Sequence, residues 1–475
     1  MKATMKATII AAALTVTRST KLPYGNPYKN GCTAKELNLS IAGVPGLFCS
    51  PKCSVIYENG CNPAKAEGLT AMPECMIGVN STENNYCALI CNTDAPTDQC
   101  DTKGGASCHH VSGVQGVCTY TLNEDKDEHL SLNKVSSRVT TLFNASQPAT
   151  DPLLVKSVNG DSSATWVAEA SSRFHGWTLG RASNIANGAL LEGDTDNSNS
   201  RVVMDYVTPG LDIPTDFDPR QDPSMASRCN ATIAHVRDQT DCGGCWAFSA
   251  TESFNDRRCL ATNDTTLLSV QDTGACCSGD DCSHSNGCVG GFIGGAWDWF
   301  TKTGVVTGGD QSDINKTDTC EPFSLLVCTR NASKVTKEHP MCPKGEYVMP
   351  ACVSKCPNTG YKTSYSNDKK FAKSSFKIKS YPLTTAYEEL MTHGPISTVI
   401  TVFQDFLHYK SGVYKHLSGW QIGSHAIEVI GWGVENGEKY WWVKNSWGST
   451  WGNGGFVKIG YGEVGIENSF TAGYV

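Results

Sequence analysis

The stretch Gln239-Thr-Asp-Cys242-Gly-Gly-Cys245-Trp246-Ala-Phe-Ser249 decides how the second half of the chain is read. Gly243 and Gly244 supply a tight turn, and a helical pattern starts at Cys245. Trp246, Ala250 and Phe254 then recur at i, i+4 and i+8, an apolar stripe with helical spacing. A thiol in the first helical turn sits at the positive end of the macrodipole, which favours thiolate. The carboxamide of Gln239 is a donor of the kind that stabilises an oxyanion during acyl transfer. On these residues alone, Cys242-x-x-Cys245 equally fits a redox pair or one more structural bridge.

Two distant blocks extend the set. Gly423-Ser-His425-Ala-Ile opens a strand pattern, and Asn445-Ser446-Trp447-Gly448 ends another that begins at Tyr440. A Cys nucleophile, a His base and an Asn to orient the imidazole form an activated-nucleophile arrangement. The sequence from about Leu211 starts helical and ends strand-rich (His425–Trp432, Tyr440–Asn445, Phe456–Ile459), which predicts an α+β unit with two lobes.

Composition narrows the classes. The chain has 475 residues, 39 Lys plus Arg against 47 Asp plus Glu, and a net charge of −8. That balance argues against a nucleic-acid partner or an anionic membrane surface. The 23 cysteines point to an oxidising compartment. Seven N-x-S/T sequons agree, at Asn38, Asn80, Asn144, Asn230, Asn263, Asn315 and Asn331. Lys2, Lys6 and the apolar Ala7–Val16 read as an export signal, and no later stretch reaches the ~18 uninterrupted apolar residues of a membrane span. A secreted or lysosomal/vacuolar protein is expected.

Ten cysteines lie between Cys32 and Cys118, and thirteen between Cys229 and Cys356. The first group sits in a Gly/Pro/Asn-rich stretch with little helical or strand periodicity, read as a small disulfide module. A zinc site using Cys108, His109 and His110 is the alternative there. The second group is odd in number, so complete pairing leaves one thiol.

Taken in order, these blocks make the chain similar to the papain-like cysteine proteases, and among them to cathepsin B, from about Trp166 to Val475. Gly244 departs mildly from the family pattern C-G-[SA]-C-[WY]. The resemblance implies a papain-like two-lobe α+β fold, a helical lobe plus a β-barrel-like lobe, preceded by the disulfide-rich module. It makes Cys245 the nucleophile, His425 the base and then acid, and Asn445 the orienter, with Gln239 and the Cys245 N–H as oxyanion hole. Gly290 and Gly291, within Gly287-Cys288-Val289-Gly290-Gly291, match the strip that receives an extended peptide, and Trp447 matches the wall on the leaving-group side. No cofactor and no metal are implied. The implied bridges are Cys229–Cys259, Cys242–Cys288, Cys276–Cys352, Cys277–Cys282, Cys320–Cys356 and Cys328–Cys342. The expected layout is a signal peptide (1–19), a Cys-rich module (20–122), a linker (123–149), a propeptide (150–210) and a peptidase domain (211–475). Partners would be protein or peptide substrates, the chain's own propeptide as inhibitor, and a glycan or protein ligand of the Cys-rich module.

Two departures bear on specificity. His425 and Asn445 come 180 and 200 residues after Cys245, beyond the family's about 130–150, and an insertion around Cys320–Cys356 accounts for the excess. Cathepsin B carries an occluding loop there, with two adjacent histidines that hold a substrate's C-terminal carboxylate. This chain has Thr329, Arg330 and Asn331 instead, with a single His339 nearby, so an Asp238–Arg330 contact or an Arg330–carboxylate contact is expected. Ser469 stands where cathepsin B places an acidic residue in the second substrate pocket, and Glu467 is a neighbour of that position. Endopeptidase and dipeptidyl carboxypeptidase activity both stay open. Rival readings are a catalytically weak scaffold that binds or adheres through the Cys-rich module, and a disulfide oxidoreductase using Cys242 and Cys245.

Overall fold

The computed structural model describes residues 147–190, 201–328, 341 and 347–475, and, nearer the N-terminus, residues 36–41, 44–51, 71–78, 85–92, 99–100, 106–112, 115–120 and 138–142. The export signal, the polar run Gly193–Ser200, and Thr329, Arg330, Asn331, His339 and Cys342 lie outside the described residues. The chain divides into two compact units, one built mainly from residues before Val139 and one mainly from Thr140–Val475.

The N-terminal unit carries strands β1 (Glu36–Ile41), β2 (Val44–Pro51), β3 (Met72–Gly78), β4 (Asn85–Asn92), β5 (Ala106–Ser112), β6 (Gln115–Tyr120) and β7 (Arg138–Leu142). They form one sheet in the order β2-β1-β7-β3-β4-β6-β5. This sheet corrects the expectation of little strand periodicity here. The reason is that cysteine holds the inward positions. Cys87, Leu89 and Cys91 alternate along β4, and all three are buried. With Cys counted as apolar, the period of two is plain. Cys91 pairs with Cys108 and Cys100 with Cys118. The clustered sulfurs of Cys91, Cys100 and Cys118 are therefore half-cystines rather than thiolate ligands, which removes the zinc reading for Cys108.

The larger unit has α+β architecture. Its elements run α1 (Pro152–Gly160), β8 (Trp166–Ala168), α2 (Leu179–Ala186), β9 (Val202–Met204), α3 (Pro223–Ile233), α4 (Cys245–Thr262), α5 (Val270–Cys276), α6 (Ile293–Lys302), α7 (Tyr365–Asp368), β10 (Phe376–Ile378), α8 (Thr384–Thr392), β11 (Ile396–Phe403), β12 (Tyr409–Tyr414), β13 (Gln421–Glu435), β14 (Glu438–Lys444), β15 (Phe456–Gly460) and β16 (Thr471–Ala472). The nine strands order as β8-β12-β15-β14-β13-β11-β16-β10-β9. Helix starts follow local chemistry. Asp222 accepts from the Ser224 and Met225 N–H groups with Pro223 in the first turn of α3, and Ser269 accepts from Asp272 N–H at the start of α5.

The long helix α4 begins after Gly244 and ends at Asn263, whose φ of 60° is the left-handed conformation that stops a helix. It is buried on nearly every face. Trp246, Phe254, Trp297 and Phe300 form one core on the helical side, while Trp441, Val443, Trp447 and Phe470 belong to a second core on the sheet. Trp166, Phe174 and Trp177 from the segment before residue 190 are built into that second core. Five implied bridges are present: Cys229–Cys259, Cys242–Cys288, Cys276–Cys352, Cys277–Cys282 and Cys320–Cys356. Cys328 is disulfide-bonded too, and Cys342, its expected partner, lies outside the described residues.

A buried charge cluster ties α4 to the sheet. Lys444 Nζ lies 2.7 Å from Asp256 and 2.8 Å from Glu428. Glu252 is a further buried acid one helical turn before Asp256. Burial pushes the carboxyls of Glu252 and Glu428 above the ordinary range, and Lys444 acts against that shift. Removing Lys444 strands Asp256 and Glu428, and breaking such a buried pair costs about 3–5 kcal/mol. Lys444→Met is expected to lower the urea midpoint of the disulfide-intact chain by a corresponding amount at neutral pH.

Candidate active site

Cys245 opens α4, is fully buried, and is the one free cysteine among the described residues. Cys242 is bridged to Cys288 rather than to Cys245. That pairing removes the dithiol needed for the oxidoreductase reading. His425 sits on β13, where the strand pairs antiparallel with β11 and β14. The residue after it, Ala426, places its backbone against the Cys245 thiol.

Asn445 follows β14 and brings its Oδ1 within 2.8 Å of His425 Nε2. The carboxamide oxygen can only accept, so Nε2 carries the hydrogen and Nδ1 is the ring's free lone pair in the neutral form. His425 Nδ1 has no hydrogen-bond partner among the described residues. Trp447 lies over the imidazole, with ring centres 4.7 Å apart. This indole shields the His–Asn bond from water, and Trp447 is itself fully buried.

Gln239 reaches the same place from the other side. Its Nε2 donates to Cys242 O at 2.8 Å and to Ile185 O at 3.1 Å. Ser446 Oγ donates to Gln239 Oε1 at 2.7 Å, and Ser446 N–H donates to Asn445 Oδ1 at 2.8 Å. Ser446 thereby fixes which way the Gln239 amide faces and joins it to Asn445. The sequence reading did not single out Ser446, although it lies in the quoted Asn445-Ser446-Trp447 block.

The glycine strip has a stated cause at each position. Gly290 has φ +140°, and a Cβ on Gly291 would meet the Trp246 ring at 2.6 Å. A chain segment uses the strip. Leu190 N–H donates to Gly291 O at 2.9 Å, and Gly291 N–H donates to Gly188 O at 3.0 Å. Ala189 thus runs parallel to Gly291. A Cβ on Gly188 would fall 2.0 Å from Gly243 O and 3.0 Å from Cys245 Sγ, so this residue lies directly on the thiol.

Two arginines anchor the segment on its way in. Arg173 bonds Asp238 at 2.9 Å and also donates to the main-chain oxygens of Thr240 and Trp447. Arg181 bonds Asp241 through both carboxylate oxygens, at 2.7 and 2.8 Å. Trp177 stacks between them, its ring centre 4.6 Å from the Arg173 guanidinium carbon and 3.6 Å from that of Arg181. Neither arginine carried a signal in the sequence beyond its charge. Asp238, expected to meet Arg330, is held by Arg173 here.

Ser469 takes part in a small hydroxyl network: its Oγ accepts from Val399 N–H at 3.0 Å and lies 3.1 Å from Thr398 Oγ1. Glu467 is committed elsewhere, accepting from Trp441 Nε1 and from Gly462 N–H, both at 2.9 Å.

The covered site is electrically quiet. Burial pushes the Cys245 thiol up to about 12, against the backbone groups of Ala426, Gly188 and Trp246 around it. Burial likewise lowers His425 to about 4, against its bond to Asn445. Beneath the segment, loss of water dominates the Cys245 shift, whose direction is opposite to the one expected from the helix position. Gly188→Ala would have to overpack this contact at a cost of about 1–3 kcal/mol, roughly five- to 150-fold in the open fraction. Iodoacetamide is expected to alkylate Cys245 of that variant faster at pH 7.5 by such a factor, read by intact mass.

A family model described as papain family cysteine protease matches residues 213–474. The chain is 41% identical over 267 residues to cathepsin B-like cysteine proteinase 4 of Caenorhabditis elegans, covering 55% of this chain and 75% of that protein. It is 35% identical over 346 residues to a cathepsin B-like cysteine proteinase of Schistosoma japonicum, covering 72% and 95%. Among solved structures, proCathepsin B S9 from Trypanosoma congolense matches with a TM-score of 0.56 and 26% identity, over 69% of this chain and 99% of that one. The chain belongs to the papain family of cysteine proteases, as a cathepsin B-like cysteine peptidase.

Proposed function

We propose that the chain is the secreted or lysosomal zymogen of a peptidase in which Cys245, His425, Asn445 and Gln239 carry out thioester-forming peptide hydrolysis. The observation that carries this reading is the thiol of Cys245 at the start of α4, the one free cysteine among the described residues, beside the backbone that follows a His425 already held by Asn445. Residues 150–210 are the inhibitory propeptide and 211–475 the enzyme. Residues 1–19, 20–122 and 123–149 are the signal, the disulfide module and the linker.

With the propeptide gone, water and substrate reach the pair. The thiol proton passes to His425 Nδ1, because Nε2 is engaged by Asn445. The sulfur attacks the substrate carbonyl carbon, and its oxygen takes the negative charge. The Gln239 amide and the Cys245 N–H stabilise that oxygen. The imidazolium then gives its proton to the amine as the C–N bond breaks, leaving a thioester. Water, deprotonated by His425, attacks the thioester, and the acid product leaves as the thiolate re-forms.

The covering segment resists the same attack for a geometric reason. The carbonyl at the Gln239 donor is that of Ile185, whereas the residue on the sulfur is Gly188. The propeptide also holds Asp238 through Arg173. Its departure frees that carboxylate for Arg330, and an Asp238–Arg330 contact would keep its charge on the Arg330 side throughout the acid range. The enzyme has an altered occluding loop in which Arg330 meets either Asp238 or a substrate's C-terminal carboxylate, and endopeptidase and dipeptidyl carboxypeptidase activity both stay open.

Non-reduced chain treated with acid and then with an epoxysuccinyl peptide is expected to gain one adduct, mapped to Cys245 on a product starting near Leu211. A correctly folded chain that gains none would overturn the reading. Ser469 at the second pocket, with Glu467 occupied, favours apolar or aromatic side chains there. A fluorogenic peptide panel is expected to rank Phe, Leu or Val above Arg at that position, and the reverse ranking would remove Ser469 as the determinant.

A further inference from the structure

His408 lies outside the catalytic sequence motifs and takes no part in the peptide-hydrolysis steps. It is buried, with 1% exposure, in the turn between β11 and β12. Its Nε2 accepts a hydrogen bond from Asp151 N–H at 3.2 Å. Asp151 is the N-cap of α1, where its Oδ1 accepts from Leu153 N–H at 2.9 Å and Leu154 N–H at 3.2 Å. His408 Nδ1 has no hydrogen-bond partner among the described residues.

The contact lies at the root of the propeptide's first docking unit. Asn159 brackets Ala168, with its Nδ2 donating to Ala168 O at 2.9 Å and its Oδ1 accepting from Ala168 N–H at 2.8 Å, so α1 and β8 move together. Strand β8 pairs antiparallel with β12, which starts one residue after His408. Glu169 N–H donates to the carbonyl of His408 itself at 2.8 Å.

A neutral ring is required at this place. Nε2 must present a lone pair to Asp151 N–H, so a proton there would set two donors against each other. The same nitrogen faces the positive end of α1, which also disfavours a cation. The charged groups that act on it are Asp151 and Asp405; Glu169 contributes only its backbone, and its carboxylate pairs with Lys410 at 3.4 Å. Asp405 is already engaged by Tyr414, His416, Leu417 and Ser418. Burial lowers His408 below its ordinary 6.5, outweighing the upward pull of Asp151, the Glu169 backbone and Asp405.

Acid opening needs a group that gains a proton on release, and the catalytic pair is a poor candidate. It is neutral when covered. On opening, the proton leaving Cys245 is the one His425 takes, so the pair binds no net proton over the range between its shifted values. His408 behaves differently. It is disfavoured as a cation when docked and free to become one when exposed. The docked state therefore holds fewer protons, so docking is strongest above about pH 6.5 and weakens as pH falls toward the lowered value.

We propose that His408 is an acid-sensitive latch for the inhibitory propeptide: protonation of its Nε2 removes the acceptor for Asp151 N–H and releases the α1–β8 unit from β12. This rests on the reading of residues 150–210 as inhibitory.

The test is the rate at which an epoxysuccinyl peptide labels Cys245 in the full-length chain, in pulses short compared with self-processing. Each rate is divided by that of the processed enzyme at the same pH. In the wild type the ratio is expected to rise by up to about tenfold per pH unit below pH 6.5, one proton's worth. His408→Gln keeps an acceptor but cannot titrate, so it is expected to stay as latent as wild type at pH 7.5 and to lose about one proton from the slope. His408→Leu suits the buried site and guards against misfolding of the Gln variant. It is expected to leak at pH 7.5 and to lose the same slope. Slopes in both variants equal to wild type would overturn the latch while leaving the inhibitory propeptide intact. A wild-type ratio near one at pH 7.5 would instead strike the inhibitory reading, and the latch with it.

Discussion

Gln239 and Ser446 hold each other twice, and the site depends on that seam. Gln239 N–H donates to Ser446 O at 2.8 Å, and Ser446 Oγ donates back to Gln239 Oε1 at 2.7 Å. One residue lies just before α4 and the other just after β14. Their mutual bonds fix the helix that supplies the thiol against the strand that supplies the imidazole's partner. Gly448 N–H, donating to Arg237 O at 3.0 Å, extends the seam, and the Cys242–Cys288 bridge fastens the turn on its far side. Further inside, Lys444 performs the same joining with charge, linking Asp256 of α4 to Glu428 of β13. Polar groups are costly inside a protein unless paired. Here they are paired across elements, so the cost of burying them is offset only in one relative placement of helix and sheet.

Most of the candidate site is legible in the sequence because its chemistry comes in short local blocks. Cys245 was marked by a glycine turn and a helical stripe, His425 by strand alternation, and Asn445 and Trp447 by one tetrapeptide. The described bridges of the protease region follow from resemblance, and the odd number of cysteines there, thirteen, singles out one thiol. What was not legible depends on distance. Arg173, Arg181 and His408 owe their roles to Asp238, Asp241 and Asp151, which lie far off in sequence. Nothing local distinguishes an arginine that will sandwich Trp177 from one that will face water. Ser446 is an intermediate case, adjacent to a motif residue yet defined by a partner 207 positions away.

The expected thiolate shows how local reading can also mislead. A helix N-terminus does lower a thiol's pKa, but within a few ångströms that effect competes with the removal of water. Under Gly188 the water is gone, and Cys245 is held as a neutral thiol. Reactivity is thus stored in the covering segment as much as in the residues it covers. The same segment places Trp166, Phe174 and Trp177 in the core of the sheet. The segment therefore contributes packing to the sheet's core as well as cover to the thiol.

The buried positions of the N-terminal sheet invite a different comparison. Cys49, Cys87, Cys91, Cys100 and Cys118 are all half-cystines, and all belong to its core. In most domains a disulfide braces a hydrophobic interior that exists without it. In this sheet the sulfur pairs are much of the interior. Oxidation is then less a fastening applied to a finished fold than the step that creates its solid centre. For a cell making this chain, the electron balance of the folding compartment decides whether this sheet has an inside at all.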